Sequence, residues 1–141
     1  MTPDNFYWYA SILIFIPWLA LIFAPNWRWT ETLASSSAII LLVASTWFTV
    51  RYLLHGDDGG HVFSFSGLQN LFRSTEMLLT GWLNYLAFGL LTGIWQSNDA
   101  AKQKIPHIWV LPCLILTMLT GAAGLLLYLG IRWVRTRGAK I

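Results

Sequence analysis

Ile12-Leu13-Ile14-Phe15-Ile16-Pro17-Trp18-Leu19-Ala20-Leu21-Ile22-Phe23 carries no charged or hydroxyl side chain on any face a helix could present. A surface helix of a soluble bundle keeps a polar stripe opposite its buried one. Here, as again over Leu125 to Ile131, no such stripe exists, so the solvent of these segments is lipid. A helix crossing a hydrocarbon core of roughly 30 Å needs about 20 mainly apolar residues. Working outward from the first stretch, windows of that kind cover about 6–23, 33–54, 74–95 and 107–133, and none has Lys or Arg near its middle. The expected fold is all-α, a bundle of four transmembrane helices forming a single membrane domain over residues 1–141.

Composition supports this reading. Of 141 residues only 11% are charged, too few to solvate a soluble surface of four long helices. Trp8, Trp27, Trp29, Trp95, Trp109 and Trp133 fall near segment ends, where an amphipathic ring sits between headgroups and acyl chains. The first segment lacks a basic flank and outruns the apolar region of a cleavable signal, so it is expected to remain as a membrane helix. With four crossings, Arg51, Arg73, Arg132, Arg135, Arg137 and Lys140 share one side, against Arg28, Lys102 and Lys104 on the other. Both termini are then expected to be cytoplasmic or stromal. The basic tail suits anionic headgroups, and nothing in it requires nucleic acid. Cys113, the only cysteine, has no internal disulfide partner.

Three short connections join the windows. Ala24 to Thr30 reads as a turn, with Thr30 or Thr32 able to cap the next helix. The second connection contains Leu68, Leu71 and Phe72 at helical spacing after Ser66, which predicts a short helix in the membrane interface, capped by Ser66, before the third span. The third, Gln96 to Pro106, is polar. Gly89 and Gly93 form a GxxxG pair, and Thr117, Gly121 and Gly124 supply small positions for close packing against it.

Chemistry-bearing residues are sparse. Arg73, Glu76, Thr80 and Asn84 recur at three- or four-residue steps and so share one helix face, with Asn84 near the bilayer midplane. A polar group at that depth is either interhelical glue or a functional contact. His55, Asp57, Asp58 and His61 have the donor types of a zinc or iron site but match no specific ligand spacing, and a solvated turn is the preferred reading, with no metal. His107, at the mouth of the last window, is either an interfacial hydrogen-bonding residue or the polar contact for a ligand end. No nucleophile with its base and no phosphate-cradling glycine loop is present.

The stretches Gly81-Trp82-Leu83-Asn84-Tyr85-Leu86-Ala87-Phe88, Ile105-Pro106-His107, Leu111 to Thr117 and Gly124 to Leu129, with the turn Ala24-Pro25-Asn26-Trp27, resemble the abscisic-acid-deficient-four-like family, which includes the plant neoxanthin synthases. The resemblance covers nearly all the chain. It implies a four-helix membrane protein and, for the plant members, conversion of violaxanthin to neoxanthin by opening an epoxide and forming an allene. The chain departs from the family pattern at Asn84, where His is usual, at Gly89 for Asp, at Ile94 for Arg and at Ala122 for Pro. Three ionisable groups are thereby missing from one helix, and the proline kink is expected to be absent.

Two readings follow from the resemblance. In the first, the chain is a carotenoid isomerase or epoxide-opening enzyme with no cofactor, using His107 and Glu76 as the polar, catalytic ends of a lipid-facing slot. Trp82, Asn84, Tyr85, Phe88 and Trp95 would line the pigment. In the second, the chain is a non-enzymatic pigment- or lipid-binding subunit of a larger membrane complex, photosynthetic for example, with Gly89, Gly93, Gly121 and Gly124 serving packing. Partners are the bilayer, a carotenoid or other polyene, and a second copy or a larger assembly. The expected location is a bacterial inner membrane or a thylakoid.

Overall fold

The computed structural model describes residues 2–56 and 59–138, and within them the chain forms six helices. These are α1 (Pro3–Phe23), α2 (Thr30–His55), α3 (Phe65–Arg73), α4 (Thr75–Lys102), α5 (His107–Thr120) and α6 (Ala122–Gly138). Helices α1, α2 and α4 are long and apolar enough to cross a membrane, with mean hydropathies of 1.9, 1.8 and 1.4. The α2–α4 pair is the most extensive, and α1 and α5 pack beside it. Leu41, Leu83, Leu90 and Leu114 close the centre.

Local chemistry sets the helix ends. The Thr30 hydroxyl does not cap α2 but donates to the Ala24 carbonyl at 2.6 Å, which also accepts the Trp27 amide at 3.2 Å, and so closes the α1–α2 turn. The short helix before α4 exists, yet its cap is Ser64 rather than Ser66. Ser64 Oγ accepts the Gly67 amide at 3.1 Å, and Ser66 already lies inside α3. Leu71 is buried and Leu68 half-buried, while Phe65 and Phe72 stay exposed. Helix α4 continues beyond residue 95 to Lys102, because the polar residues Gln96, Asn98 and Asp99 all find side-chain partners there.

The window 107–133 is not one straight helix. It breaks at Gly121, whose φ of 66° and ψ of −75° form a turn that other residues rarely adopt. Past that turn α6 folds back along α5: a Cβ at Gly124 would overlap the backbone and hydroxyl of Thr117, and the Arg135 guanidinium lies 5.1 Å from the Trp109 ring centroid. In place of the single long helix expected for the fourth window, the chain forms a helical hairpin. With 14 residues, α5 extends about 21 Å, short of the roughly 30 Å core. A kink that needs no proline is supplied by glycine instead.

The expectation that both termini share one end is corrected by the same reversal. Thr2 and Phe6 lie in the cleft that contains Arg51 and Glu76. His107 meets Ile22 at the far end of α1, and Arg135 returns to Trp109 beside it. The first and last described residues therefore sit at opposite ends of the bundle. Arg132, Arg135 and Arg137 join the end that holds Arg28, Lys102 and Lys104, while Arg51 and Arg73 occupy the other. Lys140 lies outside the described residues.

Candidate functional site

The polar stripe of the third window resolves into separate local contacts. Arg73 belongs to α3, and Glu76 pairs with Arg51 of α2 at 3.5 Å near the start of α4. The Thr80 hydroxyl donates to the Glu76 carbonyl at 2.9 Å. Asn84 Oδ1 accepts from Ser45 Oγ at 3.2 Å, which ties α4 to α2 near the middle of both helices. The contact engages the carbonyl oxygen of Asn84 in a bond between two helices.

On its other flank Asn84 lines a groove of about 450 Å³ between α4 and the α5–α6 turn, together with Tyr85, Phe88, Gly89, Gly121 and Ala122. The α5–α6 reversal is what creates it. The Tyr85 hydroxyl donates to the Leu119 carbonyl at 2.7 Å, satisfying one of the carbonyls that the end of α5 leaves open. A Cβ at Gly89 would meet only the Thr117 carbonyl, at 4.0 Å, and one at Gly121 only the Tyr85 ring, at 3.8 Å. These two glycines leave groove space open rather than permit tight packing. Close packing falls to Gly93, where a Cβ would come within 2.8 Å of the buried Trp18 of α1, and to Gly124 inside the hairpin. The expected GxxxG face against the last window is thus divided between two neighbours.

The other aromatic candidates do not line this groove. Trp82 stacks on Tyr85 with centroids 5.6 Å apart but faces a separate cleft of about 320 Å³ with Asp4 and Tyr7. Trp95 lies edge-on to Tyr128 at 5.6 Å. Glu76 lines a cleft of about 680 Å³ with Phe6, Phe48 and Arg51, and His107 is not among its lining residues. The His107 imidazole meets the Ile22 carbonyl at 2.8 Å through Nε2, capping the open end of α1. His107 and Glu76 are therefore at opposite ends of the bundle, each engaged by the protein.

Two polar clusters escaped the sequence reading. Gln96, fully buried, donates through Nε2 to Thr117 Oγ1 at 3.0 Å, and that hydroxyl donates to the Cys113 carbonyl at 2.7 Å. Asp99 Oδ2 accepts from the Tyr128 hydroxyl at 2.6 Å and from Arg132 Nε at 2.7 Å. The signal was present as Gln96 and Asp99 at a three-residue step and Tyr128 and Arg132 at a four-residue step, each pair on one helix face. Matching them required the reversal at Gly121. For the His55, Asp57, Asp58 and His61 set, Asp57 and Asp58 lie outside the described residues. Among the described residues no three His, Cys, Asp or Glu side chains gather as metal ligands.

Compared with known proteins, residues 5–128 match the profile of a family described as ABA DEFICIENT 4-like. The match runs from α1 through Tyr128 and includes every residue of the groove. No curated protein and no solved structure matches the chain.

Proposed function

The chain belongs to the ABA DEFICIENT 4-like family, and on that premise we propose that it is a multi-pass membrane protein that seats the end group of a carotenoid in the groove between α4 and the α5–α6 turn. The observation that carries this reading is the convergence of Asn84, Tyr85 and Phe88 on a space kept open by Gly89 and Gly121. At about 450 Å³ the groove has the size of a small-molecule site, roughly 300–1,000 Å³. That is enough for one ring of a carotenoid, with the polyene continuing along the lipid-facing surface. The Asn84 carboxamide accepts from Ser45 through its oxygen, and its nitrogen donates to no protein acceptor among the described residues. That nitrogen is available to an oxygen on the end group.

The groove is equipped to hold a pigment rather than to protonate one. Among the described residues no carboxylate or imidazole lines it, and the Tyr85 proton is committed to Leu119. Epoxide opening needs a positioned acid, and both Glu76 and His107 are elsewhere. Binding without turnover is the function proposed. In the membrane, α1, α2 and α4 cross and the α5–α6 hairpin enters from the end that carries Arg28, Lys102 and Lys104. The excess of Lys and Arg makes that end cytoplasmic or stromal.

Expression in a carotenoid-producing host, mild-detergent purification, and chromatography of the extracted pigment test this. One carotenoid per chain is expected, with its absorption band shifted from that of the free pigment. Gly89→Phe, whose Cβ would stand 4.0 Å from the Thr117 carbonyl and whose ring would compete for the groove, should cut pigment retention at least about tenfold, the weight of a bulky group in a ligand's place. A colourless wild-type protein, or a Gly89→Phe variant with full pigment, overturns the assignment. Incubation with violaxanthin is expected to return it unchanged, and an allenic product would replace binding with catalysis.

A further inference from the structure

On the outer side of the α5–α6 hairpin runs a second furrow, of about 660 Å³, lined by Leu126, Leu127, Gly130 and Ile131 and ending at Trp109, Trp133 and Arg135. It does not share residues with the groove proposed for the pigment. A Cβ at Gly130 would meet no atom within 4 Å, so the furrow has free space along α6. Where the furrow ends, the Arg135 guanidinium lies 5.1 Å from the Trp109 centroid, and the neighbouring Arg137 lies 4.4 Å from that of Trp133.

These arginines differ from Arg132. The Arg132 guanidinium is engaged by Asp99, whereas among the described residues neither Arg135 nor Arg137 has a carboxylate within ion-pair distance. Stacking uses the face of a guanidinium and leaves its edge N–H groups free, in the planar fork that matches a phosphate. An apolar trough thus leads to Arg135, which like Arg137 has no carboxylate partner among the described residues and lies beside indoles, the residues of a membrane interface. Arg28, Lys102 and Lys104 add positive charge at the same end of the bundle. Trough, tryptophan belt and free guanidinium correspond in order to acyl chain, glycerol region and phosphate.

We infer that this furrow is a binding site for one anionic phospholipid, with an acyl chain along Gly130 and the phosphate on Arg135. A net negative headgroup is favoured over a zwitterionic one because no acidic side chain among the described residues pairs with Arg135 or Arg137, so a choline would meet only like charge there. The inference needs the membrane setting but not the pigment.

The full chain in mild detergent, titrated in native mass spectrometry with phosphatidylglycerol and phosphatidylcholine of identical acyl chains, tests it. One phosphatidylglycerol is expected to remain bound, preferred by about fivefold or more, the weight of one basic side chain at an anionic surface. Arg135→Gln should bring the two lipids to equal retention. Gly130→Leu, which occupies the open trough, should weaken both, while carotenoid retention stays unchanged in each variant. Equal binding of the two lipids by the wild type, or an undiminished preference in Arg135→Gln, overturns the site. Should Arg135→Gln fail to fold, Gly130→Leu decides alone: lipid retention equal to wild type overturns the furrow as the seat.

Discussion

At Asp99 a single carboxylate oxygen accepts from the Tyr128 hydroxyl at 2.6 Å and from Arg132 Nε at 2.7 Å. Both donors are on α6, so one residue of α4 holds the returning arm of the hairpin. The Asp99 side chain is 13% exposed and that of Arg132 37%. Breaking a fully buried ion pair costs roughly 3–5 kcal/mol, because the abandoned charge has no solvent, and surface pairs cost under about 1 kcal/mol. The asymmetric exposure here places Asp99→Ala between these limits, at about 2 kcal/mol. Tyr128→Phe removes only a hydroxyl and should cost about 0.6 kcal/mol, the average for interhelical hydrogen bonds in membranes. Thermal unfolding in detergent reads both. The double variant Asp99→Leu with Arg132→Leu should recover most of the Asp99→Ala loss, and a double variant less stable than Asp99→Ala would show that the pair does more than neutralise itself.

A helical hairpin and a straight span are alternative uses of the same apolar residues, and hydropathy does not separate them. Leu111 to Leu129 satisfies lipid in either form. What decides is Gly121, which takes a φ of 66° at no steric cost, and Gly124, which lets α6 lie on the Thr117 backbone. For this reason the long helix expected over 107–133 differs most from the structure, while α1 and α2 are legible in the sequence almost to their ends. The cap of α3 went astray on a smaller scale: Ser64 and Ser66 are both suited to cap, and only the position of the Gly67 amide chooses between them. The hairpin makes a sharp prediction. In a continuous helix residues 109 and 135 would be about 39 Å apart, whereas here their side chains stack. In a Cys113→Ala background, Trp109→Cys combined with Arg135→Cys should cross-link within one chain under a short bifunctional thiol reagent, giving a faster-migrating monomer. Persistent free thiols with an intact fold would restore the straight span.

Across the whole molecule the hairpin changes which charges share an end of the bundle. The apolar runs that suit a membrane were legible in the sequence, and Asn84 could be recognised as a polar position inside the third of them. The groove was legible only in part: Asn84, Tyr85 and Phe88 lie within little more than one turn of one helix, but its far wall is the turn at Gly121. Topology was the property most exposed to that omission, since an odd number of crossings moves the last helix to the other side. With α6 returned, Arg28, Lys102, Lys104, Arg132, Arg135 and Arg137 gather at one end, against Arg51 and Arg73 at the other. Arg132 is neutralised by Asp99, yet the remaining five still outnumber two, and basic residues close to span ends orient a membrane protein. The N-terminus is therefore expected on the exterior or lumenal side and the C-terminus on the cytoplasmic or stromal side. Reporter fusions in a bacterial inner membrane test each end separately: a fluorescent protein that folds only in the cytoplasm should report at the C-terminus, and a phosphatase active only outside should report when placed after Gly60, in the connection between α2 and α3. Activity of that phosphatase together with fluorescence at the C-terminus is the signature of three crossings and a hairpin. Four crossings would put both sites on one side, so that only one of the two reporters works.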